Sequence, residues 1–191
     1  MFIVSCTSPY DAYLTNYWPI SNCHLNDLVG HADMMLEAYA SFATDRFGNP
    51  KSALYLNGSW AQVPPGVYFS APQFTVSAWI YPQGLSSWTR IFDFGNGPGV
   101  DNIFISFDSG GNQIPAFFIC SSGGCSYTLA SSVALILQQW AFIAGTFDGT
   151  QMNIYINGNL VASQLANYLL PTLSRSKPYI GQSNWPWDGY S

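Results

Sequence analysis

Two loops in this chain collect the oxygen-bearing side chains that a hard cation prefers. The first, Gly95–Asp101 (GNGPGVD), runs into a strand-like segment and sets Asp101 beside Asn102. The second, Gln182–Asp188 (QSNWPWD), carries Asn184 and Asp188. Calcium takes about six to eight oxygens from carboxylates, amides, carbonyls and water. Asp101, Asn102, Asn184 and Asp188 are therefore candidate calcium ligands. The competing reading is that Asp101–Asn102 shapes a turn before a strand. Trp185, Trp187 and Tyr190 stand around the second loop. An exposed aromatic ring offers a sugar its apolar face with a polar edge beside it, so these three are candidate ligand-binding residues. Their competing use is core or interface packing, because Trp is usually well buried.

Catalytic chemistry is poorly supplied. Retaining glycosidases need two carboxylates about 5 Å apart, and Glu37 is the sole glutamate in the chain. It falls outside the segments that read as strands. No pair of aspartates at two- or three-residue spacing lies within a strand-like run. The two histidines, His24 and His31, sit in the irregular N-terminal region, and no G-x-S-x-G elbow accompanies them. Gly95–Gly99 lacks the lysine of a phosphate-binding loop and leads into a strand rather than a helix. The expectation is a protein that is not an enzyme.

Four cysteines, Cys6, Cys23, Cys120 and Cys125, allow three pairings. Cys120 and Cys125 flank Ser121–Gly124, a turn-forming stretch between strand-like runs, and a hairpin there brings them to bridging distance. The expected pairs are Cys120–Cys125 and, by remainder, Cys6–Cys23; the alternative is four free, buried thiols in a reducing cell. Disulfides at such spacing go with secretion. Asn57–Gly58–Ser59 is the one N-glycosylation sequon and matters in a secreted eukaryotic chain.

The elements that must position these residues are strands. Aromatics make up 17% of the 191 residues and favour sheets. Hydrophobic residues reach 48%, whereas charged residues reach 8%, well below the usual ~25%, a balance that folds rather than staying disordered. Net charge is −5, from ten acidic and five basic residues, which leaves no basic patch for nucleic acid or for an anionic membrane surface. No apolar run approaches the roughly 18 residues of a spanning helix. Met1–Cys6 is apolar, but it is short and lacks a basic start.

Strand expectations fall on Asn16–Ile20, Ala53–Asn57, Trp60–Val63, Phe74–Tyr81, Arg90–Phe94, Asn102–Phe107, Trp140–Phe147, Met152–Ile156 and Leu160–Ala162. Asp33–Ala43 has a helical look, ended by Gly and Pro in Asp45–Pro50. Gly58–Ser59 reads as a hairpin turn between the second and third strands. Asp148–Gly149 and Asn157–Gly158 are strong hairpin dipeptides. Phe74–Tyr81 carries bulk on both faces, as a strand in the middle of a sandwich does. Trp60 and Trp88 adjoin alternating strands and read as structural. Many short strands at near-regular spacing mean a β-sandwich or barrel.

Several segments together resemble laminin G-like domains of the concanavalin A-like lectin/glucanase superfamily. They are Asn16–Asp27 with Leu28–Gly30, Arg46–Gly48, Ala53–Gly58, Phe74–Pro82, Trp140–Gly158 with its W…T-F-D-G-T…I-Y-I-N-G pattern, and Pro178–Tyr190. The resemblance implies an all-β, antiparallel two-sheet jelly-roll sandwich over residues 16–191, with residues 1–15 as an N-terminal extension. Glucanases of this superfamily carry paired glutamates in an E-x-D-x-x-E arrangement, which this chain lacks. The Asp101–Asn102 pair and the Gly181–Gln182 step also resemble the calcium loops of pentraxins, although Trp185–Pro186–Trp187 replaces acidic residues there. Family members usually continue into a further C-terminal strand that pairs with a segment like Asn16–Ile20. That strand is missing here, so the expectation is a fragment of a longer protein or an edge that another chain completes. The function implied is an extracellular or cell-surface binding or adhesion module, with a glycan or an extracellular protein as partner and calcium as its cofactor. The alternative is a structural subunit that self-assembles through the open edge.

Overall fold

Asp148–Gly149 and Asn157–Gly158 set the most regular part of the structure. The Asp148 Oδ1 atom accepts the backbone N–H groups of Thr150 and Gln151 at 2.9 and 2.8 Å, which fixes a tight turn. Strands β10 (Ala141–Phe147), β11 (Gln151–Ile156) and β12 (Asn159–Leu165) follow one another through these two turns. With β5 (Phe74–Ile80) they form a four-stranded antiparallel sheet in the order β12-β11-β10-β5. The computed structural model describes residues 13–84 and 87–188, and no helix forms among them.

A larger sheet faces this one. It has seven strands in the order β1-β4-β13-β6-β7-β8-β9. These are β1 (Met35–Glu37), β4 (Trp60–Gln62), β6 (Arg90–Gly95), β7 (Ile103–Ser106), β8 (Ala116–Ser121), β9 (Gly124–Ala130) and β13 (Lys177–Ile180). A small antiparallel pair, β2 (Ser41–Ala43) with β3 (Ala53–Tyr55), completes the described strands. Period-two alternation sends Phe92, Phe94, Ile103, Ile105, Phe117 and Ile119 of the large sheet inward against Val76, Ile80, Ile143, Phe147 and Ile154 of the smaller one. Gly145 lets the sheets approach closely: a Cβ there would lie 3.0 Å from Ile105 Cδ1 and 3.3 Å from Phe117 Cδ1.

Four expectations are corrected. Asn16–Ile20 forms no strand, because the Tyr17 N–H that would enter a ladder donates instead to Asp27 Oδ1 at 2.8 Å. Left-handed backbone at Ile20, Asn22 and Cys23 then bends the chain. Asp33–Ala43 is not helical but supplies β1 and β2, separated by a turn at Ala38 (φ 54°); pairing of β1 with β4 overrides local propensity. Glu37 consequently lies within a strand. Ala53–Asn57 and Trp60–Val63 make no hairpin, since β3 pairs with β2 while β4 pairs with β1 and β13. Phe74–Tyr81 is an edge strand of its sheet rather than a middle one. Its outer bulk, Trp79, packs on Phe142 and beneath Arg46.

The remaining strand expectations match, with β12 longer than expected. Cys120 and Cys125 are bridged across the β8–β9 hairpin, Cα atoms 3.7 Å apart. Among the described residues Cys23 is exposed and has no disulfide partner; its expected partner Cys6 lies outside them, as does most of the expected 1–15 extension. No helix among the described residues is long and apolar enough to cross a membrane.

Candidate functional site

The outer face of the large sheet is also covered. One row across it reads Gln62, Tyr179, Asp93, Phe104, Phe118 and Thr128, each the lateral partner of the next. Phe104 and Phe118 stack with centroids 4.3 Å apart and planes 11° apart. An aspartate in such a row needs partners, because a buried carboxylate without them is strongly penalised. Asp93 is fully buried and has them. Its Oδ1 accepts from Asn102 Nδ2 at 2.8 Å. Its Oδ2 accepts from the Asn184 backbone N–H at 2.9 Å and lies 3.6 Å from Arg90 Nε.

Arg90 is the cation of this cluster. It shares the outer face with Asp93, three residues on, because the β6–β7 register shifts between Arg90 and Phe92. Without that bulge, alternation would point the two to opposite faces. Its Nη2 donates to Asp188 Oδ2 at 2.7 Å and its Nη1 to the Trp88 carbonyl at 2.5 Å. Its guanidinium lies over Phe104 at 4.3 Å, Trp185 at 5.4 Å and Trp88 at 5.7 Å, within cation–π range. Burial pulls the Arg90 pKa down and pushes the Asp93 carboxyl up, and their mutual attraction opposes both shifts. Burial, with the Asp93 charge adding to it, also raises the Tyr179 hydroxyl.

The loop after β13 is pinned to this cluster at several points. Asn184 Nδ2 donates to the Lys177 carbonyl at 3.0 Å. Ser183 Oγ donates to Asp188 Oδ2 at 2.7 Å and accepts the Trp185 N–H at 3.0 Å. The Trp185 indole meets Phe104 edge-on at 5.5 Å. What the loop displays is Trp187, 76% exposed.

The structure thus divides the sequence candidates. Asn102 and Asn184 come together on Asp93. Asp188 turns to Arg90. Asp101 takes a left-handed backbone (φ 57°), and its carbonyl accepts from Arg175 Nε at 3.0 Å. The Asn102 and Asn184 Oδ1 atoms are buried and accept no hydrogen bond, so they are oxygen donors of the kind calcium takes. Among the described residues no three His, Cys, Asp or Glu side chains gather. Trp185 is half-buried, Trp187 is exposed, and Tyr190 lies outside the described residues. Asn57 is exposed, its N–H donating to the buried Ser59 Oγ at 3.2 Å. Arg90 and Asp93 escaped the sequence reading. Their signal was two charges inside one strand, R-I-F-D-F, in a chain with few charges to spare.

These features define a class: an all-β sandwich with a bound-down loop that presents one indole, Trp187, to solvent. The chain belongs to the concanavalin A-like lectin/glucanase superfamily, whose laminin G-like family model matches residues 56–190. No curated protein sequence matches it. Among solved structures it is similar to domain 4 of AbnA, an extracellular arabinanase of Geobacillus stearothermophilus, in complex with arabinotriose. That match has 24% identity and a TM-score of 0.72, and covers 92% of this chain and 85% of that one. The carbohydrate-binding CBM40 domain of the Ruminococcus gnavus sialidase, bound to α2,3-sialyllactose, is similar at 13% identity and a TM-score of 0.52, over 69% of this chain and 81% of that one. Domains LG4-5 of the mouse laminin α1 chain match at 13% identity and a TM-score of 0.53, over 84% of this chain and 39% of that one. At these identities the likeness carries the fold: an antiparallel jelly-roll sandwich.

Proposed function

We propose that this protein is an extracellular, non-catalytic glycan-binding module. The observation that carries the reading is Trp187, an exposed indole on a loop held by Arg90, Asp93 and Phe104. A ring presented on a fixed loop meets a sugar with little ordering cost. The arabinotriose and sialyllactose complexes of two similar structures support saccharide as the ligand class. Against catalysis stands the state of Asp93 and Asp188: both are committed to Arg90 rather than poised for a sugar. The Cys120–Cys125 bridge supports an oxidising compartment.

The test is titration of immobilised and soluble oligosaccharides, neutral and sialylated, with the wild type and Trp187→Ala. Wild-type binding with about a tenfold loss in the variant is expected, or ~1.4 kcal/mol. Absence of binding to the whole panel would sink the proposal.

Calcium dependence is a second, separable proposal, resting on the unpaired Oδ1 atoms of Asn102 and Asn184, with Asp101 next to Asn102 in the sequence. Calcium at about 100 times its Kd would add ~2.7 kcal/mol to stability. The expected result is a calcium-induced rise in Tm that Asp101→Ala abolishes. A rise unchanged in the variant removes Asp101 from the site.

A further inference from the structure

A groove of about 740 Å³ opens beside the edge strand β5. Tyr55 of β3, Trp79 and Tyr81 at the end of β5, and Trp140 before β10 line it, with Asn57 and Gln83 among them. Tyr81 and Trp140 hold each other, centroids 5.4 Å apart. Trp79 is backed by Phe142 at 5.4 Å, and Arg46 caps it at 4.3 Å without lining the groove. Tyr81 is 41% and Tyr55 38% exposed. Fixed aromatic walls with amides and phenol hydroxyls between them match the two-sided chemistry of a sugar ring: apolar C–H faces and a rim of hydroxyls.

Charge narrows the ligand further. The lining includes no Asp, Glu, Lys or His, and its one charged side chain, Arg90, is buried against Asp93 and Asp188. Carboxylated sugars are recognised by a presented guanidinium fork or ammonium. This chain has five basic residues, of which Arg90 and Arg175 are buried, and its net charge of −5 repels polyanions.

We infer that the β5 groove is a saccharide-binding site for neutral glycan chains, distinct from the Trp187 surface and selective against uronate- or sialate-bearing ones. This rests on the glycan-binding reading above and adds to it a place and a ligand class.

The experiment is calorimetric titration of the full chain with xylotetraose, cellotetraose and arabinotetraose, and with trigalacturonic acid as the acidic probe. Tyr81→Ala, Trp140→Ala and Trp187→Ala are titrated alongside, with thermal melts to show that each is folded. Tyr55→Ala, another lining ring, serves if Trp140→Ala does not fold. The expected result is binding of at least one neutral chain, about a tenfold or greater loss on removing a groove ring, and no measurable affinity for the acid. Undiminished affinity in the folded groove variants overturns the groove while leaving glycan binding intact. Equal affinity for trigalacturonic acid overturns the ligand class. Failure of every neutral chain to bind the wild type overturns this inference; sialylated ligands that still bind at Trp187 would leave the broader proposal standing.

Discussion

Asp27→Ala is expected to lower stability by about 3 kcal/mol, through the loss of several hydrogen bonds to one charged acceptor. The carboxylate ties together residues 16–32. Its Oδ1 accepts the backbone N–H groups of Tyr17, Val29 and Gly30 at 2.8, 3.1 and 3.0 Å. Its Oδ2 accepts Asn16 Nδ2 at 2.6 Å and the Ala32 N–H at 3.1 Å. The packing is tight enough that a Cβ on Gly30 would lie 2.7 Å from Asp27 Oδ2. Alanine leaves these donors unpaired and frees the segment that buries Trp18 and Ile20. Urea unfolding reads the loss as a lower midpoint; a midpoint within error of wild type would contradict it.

The same residue carries a pH signature. Burial pushes the Asp27 carboxyl up, but the hydrogen bonds from Tyr17, Asn16, Gly30 and Ala32 together outweigh it and hold the pKa below the ordinary 3.8. A carboxyl depressed in the folded state contributes stability above its unfolded pKa and loses that contribution as pH falls through the folded value. Acidification below about pH 4 should therefore destabilise the wild type more steeply than Asp27→Asn. Parallel acid slopes would show that Asp27 is not the group responsible.

Arg90→Ala is expected to cost about 3–5 kcal/mol, because it leaves Asp93 charged, buried and without its cation. Asp188 loses its cation too and keeps only the Ser183 hydroxyl, so the loop bearing Trp187 loosens and the proposed glycan binding there weakens with stability. The companion Arg90→Ala/Asp93→Ala variant should lose less than the sum of the single changes, by more than about 0.5 kcal/mol. Additive losses would mean that the two charges act independently. Asp93, whose carboxyl burial already pushes up, should take up a proton readily once Arg90 is gone. A raised folded pKa means stability that is present in acid and lost as pH rises through it. Arg90→Ala should thus recover part of its deficit on mild acidification, with a steeper acid response than the wild type, in which Arg90 opposes the rise.

How far the sequence reached depends on where the information is local. The Asp148–Gly149 and Asn157–Gly158 turns, the Cys120–Cys125 hairpin and the alternating strands between them are fixed by neighbours a few residues apart, and all stand as read. Asn16–Ile20 failed because its backbone is claimed by a carboxylate about ten residues on. Residues 33–43 failed because β1 is held by β4, a partner distant in the chain. The candidate site was half legible. Asn102, Asn184, Asp188 and Trp185 do meet around one buried cluster, yet its centre, Arg90 and Asp93, depends on a bulge that no pattern of residue types announced. The aromatic groove depends on β3, β5 and the approach to β10 meeting in space, which no single segment encodes.

The position of β13 has a consequence for how the molecule is made. It is the last strand of the described chain, yet it lies inside the large sheet, between β4 and β6. During synthesis both neighbours leave the ribosome long before Lys177–Ile180 does. Until then each presents an unpaired edge, the kind of surface that recruits other strands. Closure of the sheet, and with it the docking of the Trp187 loop on Arg90, thus waits until Lys177–Ile180 has left the ribosome. The Trp187 surface therefore takes shape only once β13 has entered the large sheet between β4 and β6.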